Sequence, residues 1–272
     1  MPAFVCAYCG QHYPLTDAPP VTCALCDDER FAAPTTSRAW VTTTTMRQTH
    51  FTTFRRLEPG LMGIGTAPHF GSGHRALLLR TTQGNVLWDC PSFLDDATVT
   101  IVTALGGIAA IGTSGPIGHG AMVEWSHAFD SAPIYVHAAD RKFVTRPDSS
   151  VQFWEDAALE LLPGLTMVRC GGRFDGGSVL HWTQGHGGAG VLMVGDALHI
   201  TPNLGIGFMR SHLNAMPLDA DSVIRIGELI AALPFDVMYG GTWEQVIPAG
   251  AKGTIARSVR AYIDAVGLAT EL

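Results

Sequence analysis

From Leu57 onward the chain alternates short apolar runs with glycine-containing turns, and the runs have two different periods. GLMGIGTA, RALLLRT and NVLWDC are strand-length apolar runs parted by turns, which predicts a strand meander. DDATVTIVTALGG follows with helical spacing, starting at Asp95 or Asp96 and stopping at Gly106-Gly107. IAAIGT is expected as a strand, AMVEWSHAF as a helix, and PIYVHAAD as a strand ending near a short helical turn around Arg141. A second set then begins: LELL, LTMVRC, SVLHWTQ and GVLMVGDA as strands, DADSVIRIGELIAAL as a helix, FDVMYGG as a strand. AKGTIARSVRAYIDAVG is the closing helix, with Gly267 past its end. The GGAG stretch at 187–190 is a hairpin turn between two strands rather than a phosphate loop. Strands in two halves, each followed by helices, predict two facing sheets with helices on the outside.

Composition agrees with such a core. Of 272 residues, 47% are hydrophobic and 15% charged, the balance of a compact protein rather than a disordered one. A net charge of −7 gives no electrostatic reason to bind nucleic acid or an anionic membrane, so neither is expected as a partner. No apolar run approaches the roughly 20 residues that cross a bilayer. The start, MPAFVCAYCG, lacks the basic and apolar stretches of a secretory signal, and a cytoplasmic location is expected.

Before Leu57 the pattern is different. Cys6-Ala7-Tyr8-Cys9-Gly10 and Cys23-Ala24-Leu25-Cys26 form two C-x-x-C pairs with thirteen residues between them. Each pair places two thiolates on one tight turn, and two turns complete a closed tetrahedron suited to structural zinc, with a rubredoxin-like iron as the alternative. Residues 1–32 are therefore expected as a zinc-ribbon-like module whose metal ligands are Cys6, Cys9, Cys23 and Cys26. Residues 33–56, rich in Thr, are expected as a linker pinned to the main domain (57–272) by Trp40 and Phe51. Cys90 and Cys170 stand alone and are expected as buried thiols.

The run WDC, IAAIGTSGPIGHGAMVEWSHAF, APIYVHAAD, RCGGRFDGGSVLHW, LMVGDA and MYGGTW resembles the metallo-β-lactamase superfamily, in particular bacterial hydrolase-like members bearing a zinc ribbon. The resemblance covers essentially the whole chain and implies an α/β fold, an αββα four-layer sandwich. It also implies where metal ligands belong. The His-x-His-x-Asp-His loop falls on Gly115, Pro116, Ile117, Gly118, His119 and Gly120, so both leading histidines are absent and His119 stands at the aspartate. The histidine of the Gly-His-x-x-Gly turn falls on Arg173, the bridging aspartate on Asp196, and MYGGTW supplies no histidine. Glycine and isoleucine donate nothing to a metal and an arginine repels one, so the usual binuclear centre is not expected.

Three functional readings stay open. The first is an enzyme acting without that centre, by hydrolase- or lyase-like acid/base chemistry on a small, possibly anionic molecule. His119 is its general acid/base, Asp196 its orienter or second base, and Arg173 a cationic clamp; His69, His74, Ile117, His199 and Trp243 line the substrate pocket, and His212 lies nearby. Against it stands an Arg173–Asp196 ion pair that merely fills the old metal hole. The second is a shifted mononuclear metal site built from His119, Asp196 and His199, with His69 available as a fourth ligand. The third is a non-catalytic scaffold or binding module. β-Lactamase and nuclease activity are not expected, His137, His181 and His186 are expected as structural, and a homo-oligomer is left open.

Overall fold

The computed structural model describes residues 3–31, 33 and 39–267. Residues 34–38 of the expected linker and 268–272 of the expected main domain lie outside the described residues. Strands β1 (Ala3–Cys6), β2 (His12–Leu15) and β3 (Trp40–Thr42) form an antiparallel sheet in the order β2-β1-β3. After α1 (Thr43–Thr49) come β4 (Phe51–Glu58), β5 (Leu61–Ala67), β6 (Ala76–Thr81) and β7 (Gly84–Trp88). Helix α2 (Asp96–Ala104), β8 (Ala110–Gly112), α3 (Met122–Ala128), β9 (Ile134–His137) and β10 (Val151–Trp154) complete a seven-stranded sheet in the order β10-β9-β8-β7-β6-β5-β4.

The second sheet contains β11 (Ala158–Leu162), β12 (Leu165–Arg169), β13 (Ser178–Trp182) and β14 (Val191–Gly195). Two small pairs follow, β15 (His199–Ile200) with β16 (Ile206–Gly207), and β17 (Met209–Ser211) with β18 (Met216–Pro217). Helix α4 (Ala220–Ala231), β19 (Val237–Gly240), β20 (Val246–Ile247) and α5 (Ala251–Gly267) end the fold, with sheet order β11-β12-β13-β14-β19-β20.

Period-two patterning divides these strands between two cores. Leu77, Leu79, Val86 and Trp88 of the first sheet meet Leu165, Met167, Leu180, Met193 and Tyr239 of the second, which forms the sheet–sheet interface. Their neighbours Leu78, Leu87, Ile111 and Val136 turn outward onto Val102 of α2 and Val123 and Trp125 of α3. In the second sheet Val179, Leu192, Val194 and Met238 turn onto Val223, Ile226 and Ile230 of α4 and Ile255 of α5. Strands buried on both faces read as continuous apolar runs, and the stack is αββα. Each buried Leu, Val or Phe contributes about 1.5–3 kcal/mol, so these three interfaces dominate stability. Helix α2 starts where its sequence predicts, with the Asp95 carboxylate accepting from Thr98 N–H at 2.7 Å. Among the described residues no helix is long and apolar enough to cross a membrane.

The segment expected as a linker is built into the fold. Its Trp40–Thr42 stretch pairs with β1, and Phe51–Glu58 pairs along the length of β5 as the edge of the first sheet. Trp40 packs edge-on against Tyr13, 5.0 Å between ring centroids, but Phe51 is 58% exposed and pins nothing; Phe54 and Leu57 anchor β4 instead. The Thr- and Arg-rich composition hid this strand because an edge strand draws its order from backbone pairing and needs little apolar burial. Gly267 lies within α5 rather than beyond it.

Candidate active site

The loops following β5, β8, β14 and β19 border a cavity of about 680 Å³ at one end of the two sheets, and Asp89, in the loop following β7, bonds to them from behind. β7 runs parallel to β8, and β14 parallel to β19, so each strand delivers its next residues to the same rim. This is the usual place for a ligand in parallel α/β architecture.

Asp89 is the hub of that rim. It follows the apolar run of β7, is 1% exposed, and has a left-handed backbone (φ 60°) that few non-glycine residues adopt. Its Oδ1 accepts from Ser114 N–H at 2.7 Å, and its Oδ2 accepts from Ser114 Oγ at 2.9 Å. The same Oδ2 holds His74 Nε2 at 2.8 Å. Ser114 Oγ in turn accepts from the Asp196 N–H at 3.1 Å, tying the β14 loop to the β7 loop. Burial alone pushes the His74 imidazole down, but the Asp89 carboxylate outweighs it and raises the pKa above the ordinary histidine value. His74 borders the cavity, and its ring lies so close to Gly241 that a Cβ there would sit 2.0 Å from Cε1.

On the opposite wall Arg173 Nη1 donates to Asp196 Oδ1 at 3.1 Å, with Oδ2 at 3.4 Å, and Nη2 donates to the Arg30 carbonyl at 3.2 Å. His199 Nδ1 contacts Gln245 Nε2 at 2.9 Å, and its ring lies 4.7 Å from that of His212. Burial lowers both of these imidazoles, and the Arg173 charge adds to the effect.

The cavity gathers Arg173, Asp196, His69, His74, His199, His212 and Ile117. It does not gather His119. That residue is 2% exposed, its Nδ1 faces the Phe143 carbonyl at 3.3 Å, and burial pushes it down to about 4. Pro116–His119 forms a 3-10 turn that aims the imidazole away from the cavity, toward His12 and Glu124. His119 is thus not placed to serve as general acid/base, and the shifted donor set of His119, Asp196, His199 and His69 does not converge. Trp243 does not line the cavity either: its indole lies across Gly63 and Gly65 of β5, filling the trough those glycines leave. His181 Nε2 contacts the Pro234 carbonyl at 2.6 Å, away from the site. Cys90 and Cys170 are buried, and burial pushes Cys90 well up and Cys170 to about 12, so neither is a nucleophile at neutral pH.

Neither Asp89 nor Ser114 stands out by motif or spacing. A signal existed: a carboxylate ending an apolar strand, NVLWD, cannot be buried without donors.

The four N-terminal cysteines converge as their spacing predicts. Their sulfurs lie within 4.8 Å of one another, with Cys6–Cys26 at 3.6 Å and Cys9–Cys23 at 3.5 Å. Tetrahedral zinc with bonds of about 2.3 Å requires sulfur–sulfur edges of roughly 3.8 Å, so the residues fit the ion. Gly10 makes the first knuckle, at φ 84°, with its N–H on the Cys6 carbonyl at 2.8 Å.

Solved structures confirm the architecture. The metallo-β-lactamase VMB-1 superposes with a TM-score of 0.58 at 12% identity, over 79% of this chain and 98% of that one. DIM-1 metallo-β-lactamase gives 0.58 at 10% identity, over 78% and 98%. A Cronobacter sakazakii metallo-β-lactamase with a HARLDQ motif gives 0.52 at 16% identity, over 79% and 94%. The protein has the metallo-β-lactamase fold. No protein-family model matches the sequence. Its sequence is 37% identical over 269 residues to the uncharacterized protein YmaE of Bacillus subtilis (strain 168), covering 98% of this chain and 97% of YmaE. The chain belongs to the same family as YmaE.

Proposed function

We propose that the protein is an enzyme of hydrolase- or lyase-like acid/base type, acting on a small molecule with an anionic group, with His74 as its acid in place of His119. The observation that carries this is the 2.8 Å His74–Asp89 pair on the cavity wall. Asp89 fixes the imidazole through Nε2 and keeps it protonated toward neutral pH, which leaves Nδ1 to donate to an anionic group or a leaving oxygen. Asp196, 15% exposed and partly neutralised by Arg173, is the carboxylate positioned to accept a proton. The donor set at the expected binuclear positions does not fit a pair of metal ions, because Gly115, Ile117 and Gly120 carry no ligand atom and the Arg173 guanidinium occupies Asp196. Four buried thiols arranged as metal ligands favour a reducing compartment, the cytoplasm.

A panel of chromogenic esters, lactones and phosphoesters tests the assignment. His74→Gln should abolish any turnover found and His119→Ala should leave it intact; the reverse pattern refutes the role of His74. A second reading, a non-catalytic binding module, draws on one contact: Arg173 joins Asp196 to the Arg30 carbonyl like a strut between two parts of the chain. Ligand binding without turnover across the panel favours it.

A further inference from the structure

The cavity is closed on one side by the four-cysteine module. Ala7 and Tyr8, the two residues between Cys6 and Cys9, line it together with Phe31. Tyr8 meets Phe31 edge-on, 5.7 Å between centroids, and Phe70 of the main domain lines the same cavity. The module is seated there by buried polar contacts. Gln11 Nε2 donates to the Pro116 carbonyl at 2.8 Å, His12 Nε2 lies 2.8 Å from the Ser92 carbonyl, and Arg173 holds the Arg30 carbonyl. At the junction two glycines touch through their backbones: a Cβ on Gly71 would lie 2.8 Å from Gly10 Cα, and one on Gly10 would lie 1.9 Å from Ser92 Oγ. Gly71 belongs to the same loop that carries His69, Phe70 and His74, so the knuckle and the chemical wall form one frame.

We infer that the knuckle is a recognition wall of the ligand site: Tyr8, with Phe31 and Phe70, takes the planar or apolar body of a small anionic molecule whose charged end reaches His74. This rests on the proposed function in taking the cavity as the ligand site, and it goes further in naming Tyr8 as a specificity-determining residue and an aromatic or apolar anion as the ligand class. It also assigns the metal a second consequence. Because Tyr8 sits between two ligating sulfurs, the ion fixes the aromatic face as well as the module, so ligand affinity and metal occupancy are linked.

The test uses the full-length, metal-loaded protein and 1-anilinonaphthalene-8-sulfonate, which joins an aromatic body to an anionic group, titrated by isothermal calorimetry. One site per chain is expected. Tyr8→Ala should weaken it about tenfold, the scale of a lost aromatic contact, with metal content unchanged, while Tyr8→Phe binds as the parent does. His74→Gln should weaken it independently through the charged end. If the parent binds and both Tyr8→Ala and His74→Gln bind as tightly, the site lies elsewhere and the wall assignment fails along with the cavity assignment. If only Tyr8→Ala is without effect, the wall assignment alone fails. A parent that does not bind refutes both. Should Tyr8→Ala lose its metal, Ala7→Trp decides from the same turn: the indole projects into the cavity and must block the probe, and unimpaired binding overturns the inference.

Discussion

Asp89→Asn removes a charge while keeping its shape, and the structure gives the size of the effect. The carboxylate makes three contacts, with Ser114 N–H, Ser114 Oγ and His74 Nε2, at 2.7, 2.9 and 2.8 Å. An asparagine with its oxygen at the Oδ1 position keeps the first. Its NH2 then faces Ser114 Oγ and takes away the acceptor of that hydroxyl's own hydrogen, so the second is lost as a donation from Ser114 to a charged oxygen. The third survives only if His74 becomes neutral at Nε2. Hydrogen bonds to charged groups are worth about 1.5–3 kcal/mol, so a loss of about 2–4 kcal/mol is expected, tolerable within a typical stability of 5–15 kcal/mol. The pH dependence is the sharper signature. In the parent the raised His74 pKa contributes stability that is fully present below the unfolded histidine pKa and is lost as pH rises through the folded one. In the variant, burial without the carboxylate depresses His74, and stability is lost as pH falls. The gap between the two proteins therefore widens toward acid, by about 1.4 kcal/mol for each unit separating the two folded pKa values. Urea unfolding followed by tryptophan fluorescence at about pH 5.5 and about pH 8.5, with zinc and reductant held constant, measures it. An equal loss at both pH values refutes the pairing of a charged His74 with Asp89.

The other perturbations separate structural groups from chemical ones. His119→Ala empties a buried position at a cost of about 2–4 kcal/mol at neutral pH; because the parent imidazole is held near 4 and must charge below the ordinary range, that penalty should shrink as pH falls toward 4, read from the same unfolding curves. Cys6→Ser should release the bound ion and lower the thermal midpoint sharply, read by metal analysis and calorimetry, since the module has little apolar core beyond its own cluster. Gly120→Ala should cost several kcal/mol or prevent folding, because the backbone is at φ 42° and a Cβ would lie 2.1 Å from the Cys90 carbonyl; a fully stable variant would show that this turn is free to move.

What the sequence disclosed tracks how local the determinant is. Five strands of each sheet, the Asp95 start of α2 and the cysteine tetrahedron follow from period, cap chemistry and spacing, each settled within a few residues, whereas the short edge strands β10 and β20 do not show in the pattern. β4 escaped because FTTFRRLE owes its order to a partner strand rather than to its own burial. The site was half legible for a related reason. Periodicity and resemblance located the loops, and Arg173, Asp196, His69, His74 and His199 do meet in one cavity. They do not tell which way a side chain points in a glycine-flanked turn, and that direction takes His119 out of the cavity. Nor could they reveal that Asp89, rather than Asp196, holds a histidine, since Asp89 and His74 are fifteen residues apart and meet only across β6 and β7.

Of the positions where the superfamily resemblance places metal ligands only Asp196 carries the implied residue, and the contacts of the others show what a single ligand substitution would disturb. The turn of Pro116–His119 is folded down on Asp89: a Cβ on Gly118 would lie 1.9 Å from Asp89 Oδ1, and the Gly118 carbonyl accepts from Cys90 N–H at 2.8 Å. Gly120 is closed against the Cys90 carbonyl, so a histidine there cannot be seated without moving the β7 loop, and moving that loop breaks the His74–Asp89 pair. Ile117 packs among Phe31, Phe143 and Phe174 beneath the cysteine module, so a polar ligand at 117 would take the floor from under the knuckle. Arg173, finally, satisfies Asp196 and the Arg30 carbonyl at once, and removing it strands a carboxylate and loosens the module together. The carboxylate–histidine pair, the collapsed turn and the docked knuckle therefore support one another, and on this account the chemistry of the cavity is tied to the seating of the four-cysteine module.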